Sequence, residues 1–524
     1  MPEGFAHAWT PAVSFDGGDL DCGSGLLLLI RRHIDPLAPG QLLEILSREN
    51  SVAEDLPSWC RLTGNQLVST LENGRERSFL VSKGPFAVRA STDEGIEIPS
   101  GVVLPHVRRP APLTEPIVQV TIPSSLPSPS PAPQVPALAA GGIGSWPRPR
   151  WMLGALHARL EGRLGEDEFQ ETADDAVRLA VADQLSAGAT IVTDGEQRRD
   201  NYASFVAGRL DNCQLIPITD LLPYVEDPEE FEKELRALDV PAGDVRHPAV
   251  FGPLGRSRPL AVHELRFLSS LAGAAATKVA LPGPYLLTRT MWMECISDRA
   301  YATREDLATD IVRVLREEIA DLLAAGASLV QLDEPVLTEV VFSGDRPGGG
   351  RTFMCGALGE KGETGEELSF ATDLLKAVTA GFPEERLAMH VCRGNWTPDE
   401  SVALAGDYRP LLPLFAAIPV GTLFLELCTP RAGELEVLSG LPSRLRIGVG
   451  VINQKRQFIE TEAEVEALAE RAIAMFGVAR VLLNTDCGFA TFADNPIAGS
   501  TLAKGKLAVL SAVSRRLRDR HHCA

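Results

Sequence analysis

The sequence predicts an α/β protein: a (β/α)8 TIM barrel preceded by a small α/β two-layer sandwich domain. Three observations carry that expectation. Eight apolar runs, each ending in a polar or reactive cluster, recur between residues 141 and 490, with helical patterns between them. The stretch PHVRRPAPLTEPIVQVTIPSSLPSPSPAPQVPALAA (105–140) repeats proline too often for a helix or a central strand, and marks a boundary. At 524 residues the chain is also longer than one ordinary domain. The expected limits are residues 1–95 for the small domain, 96–140 for an extended linker and 141–524 for the barrel.

The eight runs are GGIGSWP, TIVTDGE, TKVALPGPY, SLVQLDEP, RLAMHVCRGN, TLFLELCTP, RLRIGVGVI and ARVLLNTDCG. Their ends carry Ser145, Asp194 to Glu196, Asp333 and Glu334, His390 to Cys392, Glu426, Asn453, and Asp486 with Cys487. A closed parallel barrel gathers the C-terminal ends of its strands at one mouth, where catalysis sits. The helical patterns between runs are exemplified by residues 303–326. There Thr303 is a candidate N-cap with acids in the first turn, and Gly326 is a candidate stop. Leu307, Ile311, Leu315, Ile319 and Leu322 share one helical face.

Composition excludes several function classes. A net charge of −20 argues against nucleic acid or an anionic membrane as partner, since both need clustered Lys and Arg. The longest apolar run, GLLLLI, is far below the roughly 20 residues that span a bilayer. The first residues show neither the basic start nor the apolar core of a signal peptide. Nine cysteines in such a chain read as reduced thiols, so the expectation is a cytoplasmic enzyme or carrier. The basic end RRLRDRHHCA reads as a frayed helix terminus, and DPEEFEKELRALD as a solvated helix.

His390 and Cys392 are alternate residues, so on a strand they point the same way. Alone, such a pair also describes a core histidine beside a buried thiol. Two further strand ends add donors. Glu426 sits within the apolar FLELC, where an unpaired carboxylate is costly, and Cys487 precedes a glycine turn. Cys428 faces the same way as Glu426 and competes with it for a place in the set. The spacing is too wide for a zinc finger and suits a catalytic zinc site with a labile carboxylate. An incoming thiol bound there becomes a thiolate, which is the setting for S-alkylation.

The motifs IGSWP, DGEQRRDNY, LDEPVLTE, HVCRGN, LELC, GVGVIN and LNTDCG occur in that order over most of the block from about 141 to 500. Together they resemble the catalytic domain of cobalamin-independent methionine synthase and its short homologues. The resemblance implies a zinc enzyme that moves a methyl or alkyl group onto a thiol, with homocysteine as the leading acceptor and a methylated folate as the expected donor. It implies His390, Cys392, Glu426 and Cys487 as zinc ligands, with Ser145, Glu196, Asp333 and Glu339 holding the amino and carboxyl groups of homocysteine. Departures are visible. Asn453 replaces an acid of the long synthases, Lys455 falls about where their proton-donating histidine lies, and Trp292 is displaced from the folate-side pattern. Lys455 is accordingly the candidate proton-handling residue. Short homologues with HVCRGN also resemble epoxyalkane:coenzyme M transferases, which makes a zinc-thiolate alkyltransferase the alternative. A sulfur-trafficking protein is a third reading.

Residues 16–90 read as a helix, a Pro-Gly turn and a strand, then a helix start and two strands. This resembles the small sulfur-carrier domain that relays persulfide sulfur in tRNA thiolation. Its acid-x5-Cys-Pro signature falls on Asp16 to Cys22, with Gly23 in place of proline. The resemblance implies Cys22 as carrier and a persulfide-donating sulfurtransferase as partner. A helix starting just after Cys22 would favour its thiolate. Cys60 reads as a core residue.

Overall fold

The computed structural model describes residues 7–18, 26–34, 37–49, 52–63, 65–73, 75–86, 118–160, 163–217, 246–292, 300–342, 362–395, 398, 400, 403–493 and 496–523. They fall into two compact units.

The first unit is a four-stranded sheet of β1 (Val13–Asp16), β2 (Leu42–Ser47), β3 (Gln66–Asn73) and β4 (Glu76–Ser82), in the order β1-β2-β4-β3. β1 runs parallel to β2, and the other pairs are antiparallel. Helices Leu27–Ile34 and Val52–Leu62 contribute Ile30, Ile34, Leu56 and Cys60 to a core shared with Leu43, Ile45, Phe79 and Val81. The expected helix, turn, strand, helix and two strands are all present, and Cys60 is buried as expected. Strand β1 was not foreseen. Cys22 lies outside the described residues.

The second unit is the barrel. Its strands are β5 (Ala140–Gly141), β6 (Ile191–Val192), β9 (Ala276–Pro282), β10 (Leu329–Asp333), β11 (Leu387–Val391), β12 (Thr422–Leu425), β13 (Arg446–Ile452) and β14 (Val481–Thr485). Their spatial order follows the chain, and every paired neighbour is parallel. The Thr190 N–H donates to the Ala140 carbonyl at 2.9 Å and joins the two ends of the sheet. Each strand touches one of the eight runs read from the sequence, although β5 and β9 each begin one residue before their runs. Two more strands, β7 (Asp211–Pro217) and β8 (Arg246–Gly255), pair outside the barrel.

The interior is filled as a small barrel requires. Ile191, Leu329, Phe424 and Leu482 pack with Ala139, Ala276 and Ala388. Phe424 is the one ring in this layer, and Gly448 beside it leaves the space that a Cβ would take from the ring. Helix Arg304–Ala324 shows how the outer ring forms. Thr303 and Asp306 make a reciprocal capping box, Leu307, Ile311, Leu315, Ile319 and Leu322 are buried, and Gly326 turns at φ +91°.

In the proline-rich stretch, Val118 bonds Asn212 of β7, and residues 130–137 run past the N-terminal ends of barrel strands. Prolines leave carbonyls without nearby donors, and arginines supply them. Arg386 donates to Ser130 O at 2.6 Å, and Arg446 to Val135 O and Pro136 O at 2.9 and 2.6 Å. The acid-rich residues 227–239 lie outside the described residues. The basic C-terminal helix, Ser500–Arg520, is pinned at its end by Arg516 and Arg520, which pair with Glu466. No helix among the described residues is long and apolar enough to cross a membrane.

Candidate metal and amino-thiol site

Parallel pairing sets the first contact. Asp333 and His390 are register partners on β10 and β11, so their side chains leave the barrel mouth side by side. Nδ1 of His390 lies 3.1 Å from Asp333 Oδ1, and Nε2 is buried without a hydrogen-bond partner. Gln331 Nε2 donates to the same Asp333 oxygen at 2.7 Å. Two residues after His390, Cys392 Sγ stands 3.7 Å from Cys487 Sγ on the turn after β14. Donor atoms of His390, Cys392 and Cys487 all lie within 4.8 Å of one another, and all three residues are buried.

Charge is shared within this group. Burial opposes the His390 cation, but the Asp333 carboxylate and Cys392 outweigh it and hold its pKa at about 10. The hydrogen bond from the Cys487 thiol, acting against burial and with His390, draws Cys392 well below the usual thiol range. Cys487, as the donor of that bond and a buried group, is pushed up.

These atoms line a cavity together with Ser145, Glu196 and Asp333. Glu196 adopts a left-handed backbone conformation, φ +55°, fixed when its N–H donates to Asp194 Oδ1 (2.9 Å) and its carbonyl accepts from Arg148 (2.5 Å). That turn lays the carboxyl group over Gly144, where a Cβ would overlap Oε1. Glu196 Oε2 is buried with no hydrogen-bond partner. Burial raises the Glu196 pKa to about 7; Arg199 lowers it in part, and Asp333 raises it further. Ser145 Oγ accepts from the Ala490 N–H at 3.2 Å.

The other expected site residues lie around this core. Glu426 is buried at the end of β12, where Oε2 accepts from the Arg393 N–H at 2.8 Å and Oε1 pairs with Arg431. Its carboxylate is not one of the three donors that converge. Cys428 turns elsewhere, with Sγ 3.2 Å from the Gly450 carbonyl, so the competition with Glu426 does not arise here. Glu339 is buried 3.9 Å from Arg289 and does not line the cavity. Lys455 is buried too, with its pKa lowered by burial against the pull of Glu426. Its backbone N–H donates to the Asn453 side chain at 2.9 Å. His521, His522 and Cys523 form no metal-type group among the described residues.

The donor set fits zinc. Two thiolates bound at about 2.3 Å in a tetrahedron stand roughly 3.8 Å apart, close to the observed sulfur separation. The open Nε2 supplies the imidazole, and Asp333 fixes its tautomer from behind. Among the described residues no other group of three such donors converges.

Several lining residues were not foreseen. Tyr202, Pro335, Thr491 and Phe492 give the cavity apolar walls, and Asn395 stands beside Thr491. Asn395 closes the HVCRGN motif, which was the only signal available. Lys278 was also missed. Its Nζ sits 4.2 Å from the centre of the Phe424 ring and donates to Gly142 O at 2.8 Å.

Residues 235–347 match the family described as cobalamin-independent synthase, catalytic domain. The methionine synthase of Saccharolobus solfataricus is 25% identical over 355 residues, covering 68% of this chain and 89% of that protein. The methionine synthase of Sulfolobus acidocaldarius is 26% identical over 348 residues, covering 66% and 84%. A solved B12-independent methionine synthase from a Shewanella species, in complex with selenomethionine, shares the fold at a TM-score of 0.54 and 23% identity, covering 74% of this chain and 99% of that one. The barrel thus has the eight-stranded parallel fold of a B12-independent methionine synthase, and part of it matches the cobalamin-independent synthase catalytic-domain model.

Proposed function

We propose that the chain is a zinc-dependent S-methyltransferase that methylates homocysteine to methionine, with a methylated folate as donor. One observation carries the reading: the His390, Cys392 and Cys487 donors open into the same cavity as the Glu196 and Asp333 carboxyl groups. An amino acid with a thiol two methylenes beyond its α-carbon joins those two ends. Glu196 and Asp333 pair with the ammonium. Ser145 and the backbone near Gly144 receive the carboxylate. The thiol then points at the sulfur-imidazole cluster. A zinc ion held by His390, Cys392 and Cys487, with Glu426 as fourth ligand, supplies activation of that thiol as its thiolate. The apolar walls exclude water from the sulfur. Lys455 is assigned the proton that the folate nitrogen requires.

A sulfonate thiol such as coenzyme M offers no ammonium, and its anion meets two carboxylates, so the epoxide-opening alternative is not favoured. Sulfur delivery by Cys22 from a persulfide-donating sulfurtransferase is a finer proposal. It requires that Cys22→Ala lose persulfide-dependent turnover and keep turnover with free homocysteine. Free thiols at the site favour a reducing compartment, which supports a cytoplasmic enzyme, and the net charge of −20 argues against nucleic-acid or anionic-membrane partners. The testing experiment is methionine formation from 5-methyltetrahydrofolate and homocysteine. Turnover that Cys392→Ser abolishes is expected. A zinc-loaded wild-type protein that forms no methionine contradicts the proposal.

A further inference from the structure

We propose that Asn395 and Gln454 are positioning residues that clasp the Cys487–Gly488 turn and so set the place of the Cys487 sulfur. The inference rests on the reading of Cys487 as a metal ligand. Cys487 lies on a turn, and a turn alone does not hold a sulfur to a few tenths of an ångström. The fixing comes from two other strand ends, that of β13 beside it and that of β11 beyond β12. The Cys487 N–H donates to Gln454 Oε1 at 3.2 Å. Gln454 Nε2 donates to Asn395 Oδ1 at 2.5 Å. Asn395 Nδ2 then donates to the Gly488 carbonyl at 2.7 Å and to Thr491 Oγ1 at 2.6 Å. The chain of bonds closes on the turn where it began. Both peptide groups of Cys487 are held, since Thr485 Oγ1 donates to the Cys487 carbonyl at 2.7 Å.

Both amides are buried, and each side-chain oxygen and nitrogen has a protein partner. A buried amide with every group satisfied is rigid and specific, because rotating it leaves a donor facing a donor. The clasp joins three strand ends: Asn395 follows the Cys392 end of β11, Gln454 follows β13, and Cys487 follows β14. It therefore couples the position of one thiol to the strand that carries the other. Asn395 lines the cavity, but its amide is engaged by the chain itself and is not offered to a substrate.

Isosteric reversals test this in the full-length protein loaded with cobalt(II). Gln454→Glu keeps the acceptor for Cys487 and removes the donor to Asn395. Asn395→Asp keeps the acceptor for Gln454 and removes the donor to Gly488. Each is expected to speed cobalt loss to a chelator by about tenfold or more and to shift the thiolate-to-cobalt absorption band. In Gln454→Glu the KM for homocysteine should stay within about twofold of wild type, because Gln454 does not line the cavity. Circular dichroism identifies a variant that fails to fold, and the other variant then decides. Wild-type cobalt loss and an unshifted band in a folded variant overturn the clasp alone, as does a raised KM with unchanged metal handling. Absence of any thiolate band in wild type overturns the metal reading together with it.

Discussion

Asp333 accepts the Nδ1 proton of His390 from the adjacent strand at 3.1 Å, and so leaves Nε2 as the one imidazole nitrogen open to the cavity. Asp333 thus faces two ways: it fixes a metal-binding tautomer, and it borders the space assigned to the substrate ammonium. Asp333→Asn keeps the shape and removes the charge. Metal affinity should fall by about 10–100-fold, read by chelator competition, and the KM for homocysteine should rise in the same variant. An unchanged metal affinity would show that the pairing does not orient His390.

Glu196 should confer pH dependence on amino-acid binding. Its pKa is raised to about 7, chiefly by burial, so below that pH the group is neutral and offers no counter-charge to an ammonium. The KM for homocysteine should therefore fall as pH rises through about 7. In Glu196→Gln the KM should be high and flat across the same range. Parallel profiles for the two proteins would remove Glu196 from the ammonium site.

Gly144 should be intolerant of a side chain for a reason local to Glu196. A Cβ at Gly144 overlaps Glu196 Oε1. Gly144→Ala is expected to displace the carboxyl group and raise the KM for homocysteine by about tenfold, the cost of losing roughly 1.4 kcal/mol of a charge-assisted contact. Zinc content should stay at the wild-type value, because the cluster lies on other strands. Loss of metal with an unchanged KM would contradict that division.

Much of this arrangement is legible in the chain before folding. Strand periodicity alone puts His390 and Cys392 on one side, and Thr303 with Asp306 announces a helix that forms as read. What escapes is whatever depends on contacts between distant segments. Strand β1 exists because Val13–Asp16 pairs with residues thirty places on. The proline-rich stretch reads as a spacer until Arg386 and Arg446 reach its carbonyls. The pairing of Glu426 with Arg431 and the engagement of Asn395 by Gln454 carry no one-dimensional signature, since Arg, Asn and Gln are common on any surface.

Lys278 should make stability pH-dependent. Burial, only partly offset by Asp333 and Glu196, lowers its pKa from 10.5 to about 7. Between those values the unfolded chain holds a proton that the folded chain does not, so this group makes stability rise with pH from about 7 to about 10.5. Below about 7 both states are protonated and the full cost of the buried cation is present. Relative to Lys278→Met, the wild type should gain up to about 1.4 kcal/mol per pH unit across that window. Denaturant titrations of both proteins at several pH values measure the difference. A constant difference would mean that Lys278 keeps its charge.

The central claim is that one ion is held by two sulfurs and an imidazole at the mouth of the barrel. X-ray absorption at the zinc edge reads that shell directly in the purified protein. The expected result is two sulfur and one imidazole nitrogen neighbours, with an oxygen completing four, and loss of one sulfur neighbour in Cys487→Ser. Zinc surrounded only by nitrogen and oxygen, or a sulfur count unaltered by that substitution, would contradict the account.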